Sequence, residues 1–384
     1  MTTSYWQRSA LPATAEVVVV GGGLLGVACA YWLARQGARP VLVEAGELAA
    51  GATGRNSGMV VQATAESYPE AVRRLGGPAA KEVCADAGEG MRLVAQVVAE
   101  EEISCDHRET GHLQFALVAD QHKEFVAALN EDGFDGRVLD RSEVADLVRT
   151  RLADDVCGGM LLPGALVHSV RLVRGLAEAA VRHGASLFPH CAVTSVGERG
   201  VETAQGSITA DAVIVATNAW SGGLLPELRG LLRPVQGQML ATEPLPPICS
   251  SGMSAQITPN GEYWQQTPDG RVVLGGCRGA GAMDRMDALA GVPEDAVHEA
   301  LLGVLPRLFP DIGPIRATDS WVGPMAFTAD LVPVASRVRE RVWAVGGFSG
   351  HGMPFGLSLG RMLASAVTSG SALSPTYAHE RLAV

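Results

Sequence analysis

Val17-Val18-Val19-Val20-Gly21-Gly22-Gly23-Leu24-Leu25-Gly26, with Pro40-Val41-Leu42-Val43-Glu44 shortly after it, decides how this chain folds. Four successive valines predict a strand buried on both faces, because β-branched side chains favour extended backbone and an unbroken apolar run leaves no face for solvent. A helix with Leu25, Ala28, Cys29 and Leu33 on one face is expected next, ending at Gly37, a residue suited to a helix C-terminus. Pro40 to Glu44 then supplies a second strand. Between the strands, Gly21 to Gly26 matches G-x-G-x-x-G in the setting where that pattern carries weight, after a strand and at the start of a helix. Gly21 makes the tight turn, Gly23 lets the backbone approach a pyrophosphate, and Gly26 lets helix and strand pack closely. The first helical amides, at Leu24 and Leu25, face the phosphates together with the positive end of the helix dipole. Glu44 stands 18 positions after Gly26, at a strand end from which an acid accepts hydrogen bonds from ribose hydroxyls. A glycine turn without a ligand is the plain alternative, and the full context weighs against it.

Ala45 and Gly46 follow Glu44, where a 2′-phosphate would require an arginine, so NADP is disfavoured. The chain then departs from a regular strand–helix series. Gly51-Ala52-Thr53-Gly54-Arg55-Asn56-Ser57-Gly58 is a polar, glycine-rich loop whose backbone amides can run along a longer cofactor, which favours FAD over NAD.

Farther along, helices are expected near 66–104, 120–130, 141–149, 169–183 and 293–306, the fourth with Leu172, Leu176, Ala179 and Ala180 on one face. Strands are expected near 111–118, 192–197, 208–216, 321–328 and 342–346, and they dominate 232–278. A glycine loop at 346–352 leads into a last helix ending near 369. The 384 residues exceed the usual size of one core, and no repeat or linker is visible, so interleaved domains are expected.

Apolar residues make up 47% and charged residues 18%, which suits a globular chain with a large core. A net charge of -11 argues against a nucleic-acid partner, which would ask for a basic face. The 7 cysteines are odd in number and form no C-x-x-C pair, so neither a disulfide framework nor a metal site is expected, and reduced thiols in the cytoplasm are the plain reading. No secretory signal and no membrane span is apparent.

Beyond the stretch 17–44 and the loop 51–58 with Met59, three later segments stand out. They are Val215-Ala216-Thr217-Asn218-Ala219-Trp220, Trp321-Val322-Gly323-Pro324-Met325-Ala326-Phe327-Thr328-Ala329-Asp330, and Gly346-Gly347-Phe348-Ser349-Gly350-His351-Gly352. Together and in this order the segments resemble the FAD-dependent amine and amino-acid oxidase family that includes glycine oxidase, monomeric sarcosine oxidase and gamma-glutamylputrescine oxidase. The resemblance implies a mixed α/β and α+β fold. A bipartite Rossmann-like FAD-binding domain would come from 1–85, 151–224 and 321–384. An interleaved substrate domain, built on a large and mostly antiparallel sheet, would come from 86–150 and 225–320. Along the cofactor it implies Gly21, Gly23, Leu24, Leu25, Gly26, Glu44 and Ala45, then Ala52, Thr53, Arg55, Asn56, Ser57, Gly58 and Met59. It adds the backbone of Val193 at the adenine end, Ala216, Thr217 and Trp220, then Gly323 and Met325, and beside the flavin ring Phe348, Gly350, His351, Gly352, Met353 and Pro354.

The activity implied is oxidation of a C–N bond in a small primary or N-substituted amine or amino acid by hydride transfer to flavin N5. The imine would hydrolyse and O2 would be reduced to H2O2. A dehydrogenase passing electrons to a quinone or a partner protein, and a flavin-binding scaffold of little turnover, stay open, as do a homo-oligomer and a hetero-complex. His351 would orient substrate or contact the flavin. Arg55 would sit near the flavin face or on a phosphate or backbone group. Tyr263 and Trp264 would wall the pocket or belong to the core. Pro354 suits the first turn of the last helix, whose N-terminus would favour charge developing on the ring.

Two departures from the family matter. Met325 stands where monomeric sarcosine oxidase carries the cysteine that attaches its flavin, so FAD is expected to be non-covalent. Met353 and Pro354 stand where relatives place a cation for a substrate carboxylate. Either Arg278 supplies a bidentate clamp from the other side, or the substrate carries no α-carboxylate, since an unpaired buried carboxylate costs several kcal/mol.

Overall fold

The structure, a computed structural model, describes residues 11–281 and 291–383. Strand Thr14–Val20 pairs in parallel with Pro40–Val43 on one side and with Gly206–Val215 on the other, in registers running to Val20↔Val43 and Val20↔Val215. Val342–Gly346 continues the parallel set from Gly206–Val215. Four strands distant in sequence therefore end at one edge, near residues 20, 43, 215 and 346. The loops that follow them, the glycine segments included, share the crevice in which open α/β sheets hold ligands.

The helix Leu24–Arg35 differs from its expected one-sided form, being buried on every side from Leu24 to Ala34. The last helix, Gly352–Ser369, and the helix Ser169–Arg182 join the sheet in covering it. Close approach of the last helix depends on two glycines a turn apart. A Cβ on Gly360 would stand 2.8 Å from the Ala28 Cβ, and one on Gly356 would collide with the Leu24 side chain. Trp32 Nε1 donates to Leu357 O at 3.0 Å across the same seam. The seam fixes the N-termini of both helices at the same crevice.

A second sheet of eight strands runs in the order Ala317–Phe327, Arg233–Thr242, Val272–Gly276, Glu262–Gln266, Gly252–Ala255, His112–Ala116, Gly158–Leu162, Arg137–Asp140. Every neighbouring pair is antiparallel except Gly252–Ala255 with His112–Ala116, so the expected large, mostly antiparallel sheet is present. One face packs Leu113, Phe115, Met253, Trp264 and Leu274 against Val297, Leu301 and Leu305 of the helix Asp295–Leu308. At roughly 1.5–3 kcal/mol for each fully buried large side chain, this face secures the sheet and leaves the other free to line a cavity.

The helical stretches expected over 66–104 are two helices, Tyr68–Leu75 and Gly77–Glu100, divided at Gly76, which adopts φ +83°. Strands Gly158–Leu162, Ser186–Phe188 and Val334–Arg339 were not foreseen, the first being masked by the glycine pair that opens it. Among the described residues no helix is long and apolar enough to cross a membrane.

Candidate active site

A cavity of about 1330 Å3 opens between the two sheets and is lined by both glycine segments. At its early end Gly21, Gly23, Leu24 and Leu25 line it together with Glu44, Ala45 and Val193. Glu44 is held in place by donors on either side: Gly22 N–H reaches Oε2 at 2.6 Å and Gly46 N–H reaches Oε1 at 2.8 Å. Its remaining lone pairs are available at the cavity wall. Gly26 lies behind the wall, where any Cβ would be driven into Gly21 O, so its role is to let helix and strand cross.

The loop 51–58 is bound to its surroundings at several points. Thr53 Oγ1 accepts from Leu24 N–H at 3.1 Å, which anchors the loop to the first turn of the helix. Arg55 donates from Nε to Ala50 O at 3.0 Å and from Nη1 to Val322 O at 2.9 Å, while Trp321 Nε1 donates to Arg55 O at 3.1 Å. Gln265 Nε2 donates to Ser57 O and, at 3.3 Å, to Val167 O. Ala52, Thr53, Arg55, Asn56, Ser57 and Met59 line the cavity, and Gly58 packs behind against Val167 O.

The late segment arrives by a different route. Gly347 N–H donates to Asn218 Oδ1 at 2.9 Å, and Ser349 N–H donates to Ala326 O at 2.8 Å. The strand-end loop 216–220 and the strand Ala317–Phe327 thereby position the glycine turn, in which Gly347, Ser349 and Gly350 all have positive φ. Ala216, Thr217, Trp220, Gly323, Met325, Phe348, Gly350, His351, Gly352, Met353 and Pro354 all line the cavity. Pro354 falls in the first turn of Gly352–Ser369, as expected. His351 Nδ1 lies 3.3 Å from Ser349 O, and because a carbonyl only accepts, Nδ1 carries the hydrogen and Nε2 keeps its lone pair. Burial holds this imidazole below its ordinary pKa, the carbonyl opposing in part.

The cavity face of the second sheet carries Tyr263, whose hydroxyl burial pushes upward in pKa while nearby Arg278 opposes. Trp264 points the other way, as strand alternation requires. It is a core residue, fully buried and stacked on Phe115 with centroids 6.0 Å apart. Arg278 lines the cavity just past the strand Val272–Gly276, its guanidinium 5.2 Å from the centre of the Phe327 ring. Three residues that sequence reasoning missed share this face: His112, Gln114 and Ser254. His112 Nε2 lies 2.8 Å from Ser254 Oγ, and burial, aided by the nearby His351, lowers the His112 pKa to about 4. The signal was present in His112-Leu113-Gln114-Phe115, where polar and apolar residues alternate with the period of a strand.

The model of the DAO family, described as FAD dependent oxidoreductase, matches residues 16–366. The chain belongs to this family. Among its relatives, the gamma-glutamylputrescine oxidoreductase of Escherichia coli (strain K12) is 28% identical over 372 residues, covering 91% of this chain and 83% of the relative. The glycine oxidase of Geobacillus kaustophilus is 25% identical over 346 residues, 85% of each chain. The crystal structure of glycine oxidase from Geobacillus kaustophilus superposes with a TM-score of 0.81 at 22% identity, covering 94% of this chain and 96% of that one. The L-proline dehydrogenase from P. horikoshii gives 0.80 at 22% identity, covering 97% and 98%. These structural likenesses establish the shared fold.

This FAD-dependent oxidoreductase offers a cradle that fits its cofactor. The glycine turn adds no side chain of its own at the first turn of Leu24–Arg35, Glu44 lines the cavity at the strand end, and the cavity continues to the start of the last helix. Nothing at Met325 can form the thioether expected of a flavin-linking cysteine.

The buried imidazoles make acid stability a test of the site. His107, His112, His122 and His351 are all held below their ordinary pKa by burial. In the unfolded chain they titrate near 6.5. Below that value the unfolded state binds protons that the folded state refuses, so stability falls as pH drops from about 6.5 toward 4. The slope from His112 alone approaches about 1.4 kcal/mol per pH unit. Urea unfolding of the wild type and of His112→Gln, each followed across that window, should show a shallower loss in the variant. Identical losses would mean that His112 is not buried in its neutral form.

Proposed function

We propose that the chain oxidises a C–N bond in a small amine or N-substituted amino acid to an imine, which then hydrolyses, with O2 as the electron acceptor. The observation that carries this reading is the single cavity bounded by the cofactor cradle, the N-terminus of the last helix with His351 just before it, and a polar sheet face carrying His112, both imidazoles being held below their ordinary pKa by burial. The names of the relatives, an amine oxidoreductase and a glycine oxidase among them, support the same class.

FAD, when bound, supplies a two-electron acceptor for the hydride leaving the substrate carbon. The protein's own groups do the rest. The diphosphate is assigned to the turn 21–25 at the N-terminus of the helix Leu24–Arg35, the adenosine ribose to Glu44 and the adenine to Val193. The guanidinium donors of Arg55 not used on Ala50 and Val322 face the cofactor. The helix Gly352–Ser369 directs its N-terminal peptide dipoles into the cavity, a fixed positive potential where negative charge grows. His351, with its hydrogen on Nδ1, presents Nε2 as an acceptor for a substrate N–H. Arg278 and Tyr263 form the corner suited to a substrate carboxylate, should one be present.

We assign 1–85, 151–224 and 321–384 to the cofactor unit and 86–150 and 225–320 to the substrate unit. The separate sheets support that division, although cofactor-unit sequence supplies Gly158–Leu162 and most of Ala317–Phe327 to the second sheet.

Anaerobic addition of an amine and amino-acid panel, followed by air, tests the reading. Bleaching of the flavin band and then release of peroxide is expected. Bleaching without reoxidation by air would favour a dehydrogenase, and no bleaching by any amine would reject catalysis of this class. Two variants refine the picture. Glu44→Gln keeps shape but loses charge, and FAD affinity should fall about tenfold or more, as loss of a charge-assisted hydrogen bond predicts. Undiminished affinity would reject the ribose assignment. Arg278→Ala should raise KM for carboxylate substrates by about 10- to 100-fold with flavin content unchanged, and an unaltered KM would reject the clamp.

A further inference from the structure

We propose that Gln114, Ser254 and Tyr263 form a second substrate subsite, one that holds an uncharged amide group apart from the C–N bond that reacts. The inference rests on the amine-oxidising reading of the same cavity and names the rest of the substrate.

Strand register brings the three side chains together. Gln114 pairs with Ser254 across one strand boundary and Ser254 pairs with Tyr263 across the next. Neighbouring strands lie about 4.8 Å apart, so the three span roughly 10 Å of cavity wall in one rank. None of them is charged. Among the described residues the Gln114 amide and the Tyr263 hydroxyl make no hydrogen bond, although both residues line the cavity. Ser254 is held by His112 alone, at 2.8 Å.

His112 sets the direction of the Ser254 hydroxyl. The residue is 7% exposed, and its Nδ1 is buried without a partner. An orphaned buried N–H is rarer and costlier than an orphaned acceptor, so Nε2 carries the hydrogen and donates to Ser254 Oγ. The hydroxyl hydrogen of Ser254 is then left to point into the cavity. The rank presents a hydroxyl donor at Ser254, a paired donor and acceptor at the Gln114 amide, and a further hydroxyl at Tyr263. An amide offers a carbonyl acceptor and an N–H donor in one plane, which matches Gln114 at two points and Ser254 at a third. A carboxylate would find its cation at Arg278, beside Tyr263 at the end of the rank, and not at Gln114 or Ser254, while an alkyl chain would leave the polar groups of both unpaired.

Calorimetric binding to the FAD-loaded protein tests this with short ω-aminoalkyl acetamides, alkylamines of equal length and ω-amino carboxylates as probes. The acetamides should bind about tenfold or more tightly than the alkylamines, as one or two added neutral hydrogen bonds predict. Gln114→Leu should abolish that preference. His112→Leu should weaken it, and His112→Gln, whose amide can still donate to Ser254, should restore it, with flavin content constant throughout. A role for His112 in packing alone would not be rescued in this way. Equal binding of acetamides and alkylamines, a preference that survives Gln114→Leu, or no binding of any probe would overturn the proposal. An acetamide preference without flavin reduction would instead reject the oxidation reading and leave the subsite standing.

Discussion

Gly26→Ala is expected to give a colourless protein, destabilised by about 3 kcal/mol or more, the upper end of what overpacking costs. The new Cβ would be forced into Gly21 O and would stand 3.0 Å from Gly21 C, so relief requires moving the turn itself rather than a flexible side chain. Moving that turn displaces the amides of 23–25 from the cavity wall and the Gly22 amide from Glu44. Gly303→Ala is the matched control. Gly303 lies inside the helix Asp295–Leu308 with nothing within 4 Å of its added Cβ, so stability should hold or rise by up to about 1 kcal/mol. Absorbance at the flavin band against protein, with urea unfolding alongside, reads both outcomes. A yellow, stable Gly26→Ala protein would mean that the turn does not carry the cofactor.

Gly360→Leu is expected to release flavin from a position that does not line the cavity. Its Cβ alone would stand 2.8 Å from the Ala28 Cβ and 3.2 Å from the Ala28 carbonyl carbon, so a leucine must wedge the last helix off the fingerprint helix. Overpacking there costs about 1–3 kcal/mol of stability. The larger consequence is geometric. The two helix N-termini that meet at the cavity are held by this seam, so FAD affinity should fall by about tenfold or more, equal to 1.4 kcal/mol or more of the same strain. Fluorescence titration with FAD measures it. Wild-type affinity in a variant that has lost stability would show that the seam supports the fold without positioning the cofactor.

The contrast between what was legible in the sequence and what was not has physical causes. The first strand, its glycine turn and the acid at the end of the second strand could be read directly, because local sterics and amide geometry fix what such residues do. The complete burial of Leu24–Ala34 could not, since the covering surface comes from Gly356 and Gly360, more than three hundred residues later. Asn218 was visible as part of a segment but not as the acceptor for Gly347, a link made only when two parallel strands end side by side. Arg55 lines the cavity, and its bonds to Ala50 and Val322 are backbone contacts of the kind that sequence left open.

The substrate face was the least legible part. Tyr263 and Trp264 are neighbours in sequence, but adjacent residues on a strand face opposite ways, and of the two only Tyr263 reaches the cavity. The same alternation in 112–115 held His112 and Gln114 in plain view. Their partner Ser254 enters through the one parallel pairing in an otherwise antiparallel sheet, a register that no local pattern encodes.

A crystal structure of the FAD-loaded protein is the most direct test of the central claim, that the early and late glycine segments serve one cofactor. That claim predicts the diphosphate against the turn 21–25, the ribose at Glu44 and the isoalloxazine ring in contact with 348–354. Density that places the ring away from 348–354, or the diphosphate away from 21–25, would contradict it.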